Sequence, residues 1–152
     1  MQSSDWRSVD EVLTFAIAEE EAAARFYSDL ASRMGQSALR QIFADFAGEE
    51  IKHQEMLLAI MAGRAFTLSP RQVADLKIGD YLVDVAAEPG MSYRDALIVA
   101  MKKEGAAVQL YSTLAATVGD DGVRTTFLAL AQEEARHKLR FETAYDDLLS
   151  EN

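Results

Sequence analysis

The chain contains two histidines, and each follows a glutamate by three positions. They are Glu50 and His53 in GEEIKHQEML, and Glu134 and His137 in AQEEARHKLR. On a helix, residues three apart share a face about one turn apart, so one carboxylate and one imidazole can bind the same metal ion. At the observed frequency of glutamate, chance would place both histidines this way about one time in a hundred. A single E-x-x-H carries little weight, because surface helices are rich in glutamate. A lone histidine on an apolar face is more often a hydrogen-bonded core residue than a ligand. The second copy, 84 residues on, reverses that expectation.

Composition narrows the chemistry further. A chain of 152 residues, nearly half hydrophobic and a quarter charged, is expected to form one globular domain with a continuous core. Two prolines and abundant alanine favour helix. Without cysteine there is no disulfide, thiolate metal site, iron–sulfur cluster or catalytic thiol. A net charge of −10 argues against nucleic acid as a partner, since phosphates would be repelled. Carboxylates that bind cations would neutralise part of that charge. The longest apolar run, Met56 to Ala62, is too short to span a bilayer, so membrane association is not expected. No basic segment followed by an apolar one opens the chain, so a cytoplasmic location is the expectation.

Four long helices must position the motifs. The first is expected at about 9–32, with Ser8 and Glu11 as a capping box and an apolar stripe through Leu13, Ala16, Ile17, Ala23, Ala24, Tyr27, Leu30 and Ala31. Glu20 falls on that stripe, surrounded by apolar neighbours; Glu19 and Glu21 flank it and read as solvated. Gly35 closes this helix, consistent with a left-handed cap. The second helix, about 37–62, carries Phe43, Phe46, Ala47, Leu57 and Met61 with Glu50 and His53, while Glu49, Lys52 and Glu55 fall to other faces. Residues 64–90 form a connection long enough to cross the length of a bundle. It holds a short helix capped by Ser69 and Pro70, an apolar piece from Tyr81 to Ala87, and a close at Pro89 and Gly90.

The third helix, about 93–118, is capped by Ser92 and Asp95, and its stripe from Leu97 to Ala115 is interrupted by Glu104. Gly119 ends it. The fourth, about 121–149, begins at Asp120 and Asp121, where the helix dipole favours negative charge. It sets Phe127, Leu130, Ala131 and Phe141 beside Glu134 and His137. Met56, Met61 and Met101 read as core filling. Trp6 reads as a cover for the bundle end.

Shifted by 84 positions, the chain reads onto itself. Leu13 meets Leu97, Glu20 meets Glu104, Ala23 meets Ala107, and Tyr27 meets Tyr111. Gly35 meets Gly119, Phe43 meets Phe127, and Glu49-Glu50 meets Glu133-Glu134. Two such helical hairpins joined by a crossover make an all-α four-helix bundle with approximate twofold symmetry. Glu20 lies 15 residues before Gly35 and Glu50 lies 15 after it. If Gly35 marks the turn, both stand at one height, about 22 Å from it at 1.5 Å per residue. Glu104 and Glu134 stand symmetrically about Gly119 in the same way. Four glutamates and two histidines are thus expected at one level of the core.

Four buried carboxylates without partners would be very unfavourable. Two divalent cations cancel their charge, and two neutral imidazoles fill further positions. Oxygen and nitrogen donors without thiolate suit iron or manganese, and geometry alone also admits zinc. Tyr27 and Tyr111 lie two turns beyond Glu20 and Glu104 on the same stripes. Each can hydrogen-bond a ligand carboxylate across the bundle, or serve as a core aromatic with its hydroxyl satisfied elsewhere.

Two single glutamates with two Glu-x-x-His motifs match the di-iron carboxylate pattern of ferritin-like bundles. More narrowly, the chain resembles the rubrerythrin-like branch of that superfamily over about residues 9–149. The resemblance rests on E-x-x-A-x-x-x-Y in Glu20, Ala23 and Tyr27, its copy in Glu104, Ala107 and Tyr111, and the doubled E-x-x-H. It implies two iron ions per chain, with Glu50 and Glu134 bridging, Glu20 and Glu104 terminal, and one histidine per metal. It also implies a homodimer or larger homo-oligomer. Two departures stand out. Rubrerythrins carry a cysteine-ligated rubredoxin domain, which this chain cannot form, so a reductive cycle would need a separate electron donor. They also carry a further glutamate three residues after the third-helix ligand, where this chain has Ala107. The remaining six ligands are similar to the simpler set of bacterioferritin.

The expected function is oxidation of Fe(II) at a buried dinuclear centre by oxygen or hydrogen peroxide. Oxygen-dependent hydroxylation of an organic substrate is a second expectation, and would need an apolar channel to the metals. A non-enzymatic metal-binding or storage bundle is a third.

Overall fold

The computed structural model describes residues 9–33, 37–63, 71 and 91–150. Four long helices carry the described fold: α1 (Val9–Arg33), α2 (Ser37–Gly63), α3 (Tyr93–Thr117) and α4 (Asp121–Ser150). There is no strand among the described residues. The roles expected of Trp6, Ser8, Gly35, Ser69, Pro70, the 81–87 piece, Pro89 and Gly90 lie outside them.

The turn between α3 and α4 shows how local chemistry sets the helix ends. The Ser92 hydroxyl accepts from the Asp95 backbone N–H at 3.1 Å, which caps the start of α3. At its other end α3 stops at Val118, which is extended (φ −74°, ψ 145°), and not through a left-handed Gly119. Asp120 then caps α4 by accepting from the Val123 N–H at 2.8 Å. Arg124 reaches back and donates to the carbonyls of Ala115 at 3.2 Å and Val118 at 2.8 Å. These are end-of-helix carbonyls with no partner inside α3.

The apolar stripes bury into two clusters, one above and one below a polar layer. In one, Leu13 and Ala16 of α1 meet Leu57 of α2, Leu114 of α3 and Leu130 of α4. In the other, Tyr27 and Leu30 of α1 meet Phe43 of α2, Leu97 of α3 and Phe141 of α4. The early part of α1 therefore packs beside the late part of α3, and the two run antiparallel. Val12, Phe15 and Phe26 are also buried and widen the α1 face beyond the expected stripe. Burying each such side chain stabilises the fold by about 1.5–3 kcal/mol.

The internal repeat survives in three dimensions. Tyr27 stacks on Phe43 with centroids 6.5 Å apart and planes at 18°. Tyr111 stacks on Phe127 at 6.3 Å and 15°. Phe141 and its repeat counterpart Leu57 are both fully buried, one in each cluster. Among the described residues no helix is long and apolar enough to cross a membrane.

Candidate metal centre

Between the two apolar clusters lies a layer of six buried polar side chains. Glu20 comes from α1, Glu50 and His53 from α2, Glu104 from α3, and Glu134 and His137 from α4. None is more than 3% exposed. These are the six residues whose type and spacing drew attention in the sequence.

Their geometry is that of a shared cage. The Nδ1 of His53 lies 2.6 Å from Glu134 Oε1, 3.3 Å from Glu50 Oε1 and 3.4 Å from Glu20 Oε2. The Nδ1 of His137 lies 3.4 Å from Glu50 Oε1 and 3.7 Å from Glu104 Oε1. Two overlapping sets result: Glu20, Glu50, His53 and Glu134, and Glu50, Glu104, Glu134 and His137. In each set one ligand atom per residue lies within 4.8 Å of the others. Glu50 and Glu134 belong to both sets, which suits carboxylates that would bridge two ions.

One further observation tests the fit to metal. Each of the six residues has one buried atom without a hydrogen-bond partner: a carboxylate oxygen of Glu20, Glu50, Glu104 and Glu134, and Nδ1 of both histidines. Buried polar atoms normally find partners, and leaving one unpaired costs about 1–3 kcal/mol. Six around one point, all hard oxygen or imidazole donors, fit a pair of divalent cations.

The remaining donor atoms are tied from outside. Tyr27 donates its hydroxyl to Glu104 Oε1 at 2.5 Å, and Tyr111 donates to Glu20 Oε1. Each tyrosine thus reaches across from its own hairpin to the other's glutamate. The histidines are backed by two glutamates that lie off the apolar stripes. His53 Nε2 lies 2.5 Å from Glu133 Oε2, and His137 Nε2 lies 3.0 Å from Glu49 Oε2. Glu49 was expected on another face of the second helix, and Glu133 had no role. Both instead sit in the seam between α2 and α4, where the imidazole of the other hairpin emerges. The signal was present in the doublet Glu49-Glu50, repeated as Glu133-Glu134. His137 also stacks on Phe46, with centroids 4.2 Å apart.

Crowding four carboxylates shifts their protonation. Burial, then the charge of Glu50, pushes Glu20 up to about 8. Burial and the charge of Glu104 hold Glu134 well above the usual carboxylate range. Burial also opposes ionisation of Glu50, but the close approach of the His137 and His53 imidazoles outweighs it and brings Glu50 down to about 2. For the histidines burial disfavours charge, yet the carboxylates prevail. The nearby carboxylates of Glu20 and Glu50 take His53 up to about 11. Glu104 and Glu50 take His137 up to about 10. Burial, then the neighbouring glutamates, raises Tyr27 and Tyr111, so both phenols stay protonated as donors. The metal-free cluster therefore carries protons where cations would otherwise balance the charge.

A narrow cavity of about 30 Å³ reaches the cluster between α1 and α3. Glu19 and Lys103 line it together with the small side chains of Ala23, Ala106 and Ala107, and it runs onto Glu20, Glu50, Glu104 and Glu134. Glu19, expected to be solvated, is thus half-buried at this cavity. Its neighbour Glu21 is at the surface, paired with Arg25.

The fold and this cluster define a four-helix bundle with a buried centre of four carboxylates and two imidazoles. The chain belongs to the rubrerythrin family, which it matches over residues 11–145. A Thermotoga maritima structure described as a ferritin-like diiron-carboxylate protein shares the fold, with a TM-score of 0.72 and 17% identity. That match covers 93% of this chain and 96% of the other. A manganese catalase from Anabaena is similar in fold at a TM-score of 0.67 and 19% identity, covering 97% of this chain and 75% of that one. No curated protein matches the chain in sequence.

Proposed function

We propose that the chain holds two iron ions and oxidises Fe(II) with oxygen or hydrogen peroxide. The observation that carries this reading is the pair of four-residue sets sharing Glu50 and Glu134, each with an unpartnered histidine Nδ1. In this reading Glu20, Glu50, His53 and Glu134 hold one ion, and Glu50, Glu104, Glu134 and His137 the other. A redox-active pair bound there supplies two electrons to an O–O bond.

The chain's own residues provide the rest. The Tyr27 and Tyr111 hydroxyls hold one oxygen each of Glu104 and Glu20, leaving the second oxygen to face the centre. The apolar layers above and below exclude bulk water. The α1–α3 cavity leads to the carboxylates and away from the histidines. At about 30 Å³ it has room for about two water-sized molecules, which suits oxygen or peroxide. A passage this small favours a small oxidant over an organic substrate, which disfavours the hydroxylase expectation. A reductive cycle in this reading would draw on a separate electron donor.

A second reading, two manganese ions and disproportionation of hydrogen peroxide, draws support from the same oxygen and nitrogen donor set and from the likeness to a manganese catalase. One experiment separates the readings. Protein loaded with iron or with manganese is mixed with peroxide, and Fe(II) consumption and oxygen evolution are followed. Iron oxidation that disappears in Glu50→Ala and Glu134→Ala supports the first reading. Oxygen evolution by the manganese form alone supports the second. Metal uptake with neither reaction returns the protein to storage.

A further inference from the structure

The two histidines are not backed alike, although the repeat sets them at equivalent positions. Arg136, one residue before His137, donates to Glu49 Oε1 at 2.9 Å while Glu49 Oε2 faces His137 at 3.0 Å. One carboxylate is thus divided between a guanidinium and an imidazole. The counterpart of Arg136 in the repeat is Lys52, one residue before His53. Lys52 is exposed and makes no ion pair among the described residues. Glu133 therefore gives its carboxylate to His53 undivided, at 2.5 Å. Lys is also a poorer fit than Arg for a two-pronged hold on a carboxylate. Phe46, stacked on His137, has Leu130 as its repeat counterpart, which adds a second difference between the halves.

A carboxylate that accepts the outer N–H of an imidazole fixes the tautomer and makes the inner nitrogen a better donor to metal. A guanidinium on the same carboxylate withdraws part of that effect. We propose that Glu49 and Glu133 are positioning residues that make the two half-sites unequal, the half-site of Glu20, Glu50, His53 and Glu134 being the tighter. Arg136 is the residue that sets the difference. This inference rests on the two-metal reading above.

The test is stepwise titration of the metal-free full chain with Co(II), followed by visible absorption, with melting temperature as the folding control. Cation repulsion separates the two steps in any case, so the dependence on Arg136 isolates the effect. Arg136→Ala is expected to tighten the weaker step and narrow the ratio of the two constants severalfold, with unchanged melting temperature. Glu133→Gln is expected to weaken the tighter step by about tenfold to hundredfold. Glu49→Gln is expected to weaken the other step by less, and Glu133→Asp to restore part of the loss. Two steps whose ratio ignores Arg136→Ala, or equal effects of Glu49→Gln and Glu133→Gln on one step, overturn the inference alone. Wild-type protein that takes up no Co(II) overturns the metal-centre reading and the inference with it.

Discussion

Tyr27 in α1 donates its hydroxyl to Glu104 in α3 at 2.5 Å, 77 positions later in the chain, and both are buried. With its mate from Tyr111 to Glu20, it ties each hairpin to the other at the level of the cluster. A phenol held against a carboxylate orients the oxygen left over. Tyr27→Phe removes the donor and leaves a buried oxygen unpaired, which costs about 1–3 kcal/mol. Chemical denaturation of the metal-free variant is expected to show that loss. Metal affinity is expected to fall about tenfold to hundredfold. Unchanged affinity in both Tyr27→Phe and Tyr111→Phe would reduce the tyrosines to core aromatics.

The protonation pattern gives a prediction in pH. His53 and His137 are raised to about 11 and about 10, and Glu20 to about 8. Raised groups stabilise the fold fully below their unfolded values and lose that contribution as pH climbs through the folded ones. For Glu20 the window opens above about 4.5, and for the histidines above about 6.5. Glu50, lowered to about 2, acts oppositely and loses its contribution only below about 4.5. Metal-free protein should therefore lose stability steadily from about pH 6 to 9. Metal displaces the same protons, so its binding strengthens with pH. The gap between metal-free and metal-loaded melting temperatures should widen over that range. A gap that stays constant would remove the cluster as the source of the protons.

The cavity between α1 and α3 predicts where oxidant enters. Ala107 lines it and Ala23, its repeat counterpart, faces it from α1. Ala107→Leu should fill the passage and leave Fe(II) uptake intact, since no proposed ligand changes. Stopped-flow oxidation by peroxide is expected to slow by at least about tenfold, a barrier change of about 1.4 kcal/mol. Full speed in a variant that binds iron normally would place the entry route elsewhere.

Much of this could be read in the sequence because the repeat constrains two helices at once. Glu20 and Glu50, each 15 residues from Gly35, do stand at one level, although Gly35 itself lies outside the described residues. Periodicity along one helix was enough for residues that face the bundle axis, such as Leu13, Tyr111 and Phe141. It failed for Glu49 and Glu133. A helical wheel turns them off the stripe, and only the packed α2–α4 seam shows the other hairpin's imidazole emerging beside each. The cleft that Glu19 lines is hidden from a single helix for a similar reason, because it exists only between α1 and α3. The unequal hold of Arg136 and Lys52 on their carboxylates depends on side-chain reach, which spacing does not encode.

The most direct test of the central claim is an anaerobic Fe(II) titration of metal-free protein, read by calorimetry and checked by elemental analysis. The account predicts saturation at about two Fe(II) per chain, the pair that the two sets sharing Glu50 and Glu134 would hold. It also predicts that Glu50→Ala, which strips a donor from both sets, abolishes that stoichiometry in a protein that still folds. Failure of the wild-type chain to bind iron, or the same uptake in Glu50→Ala, would contradict it.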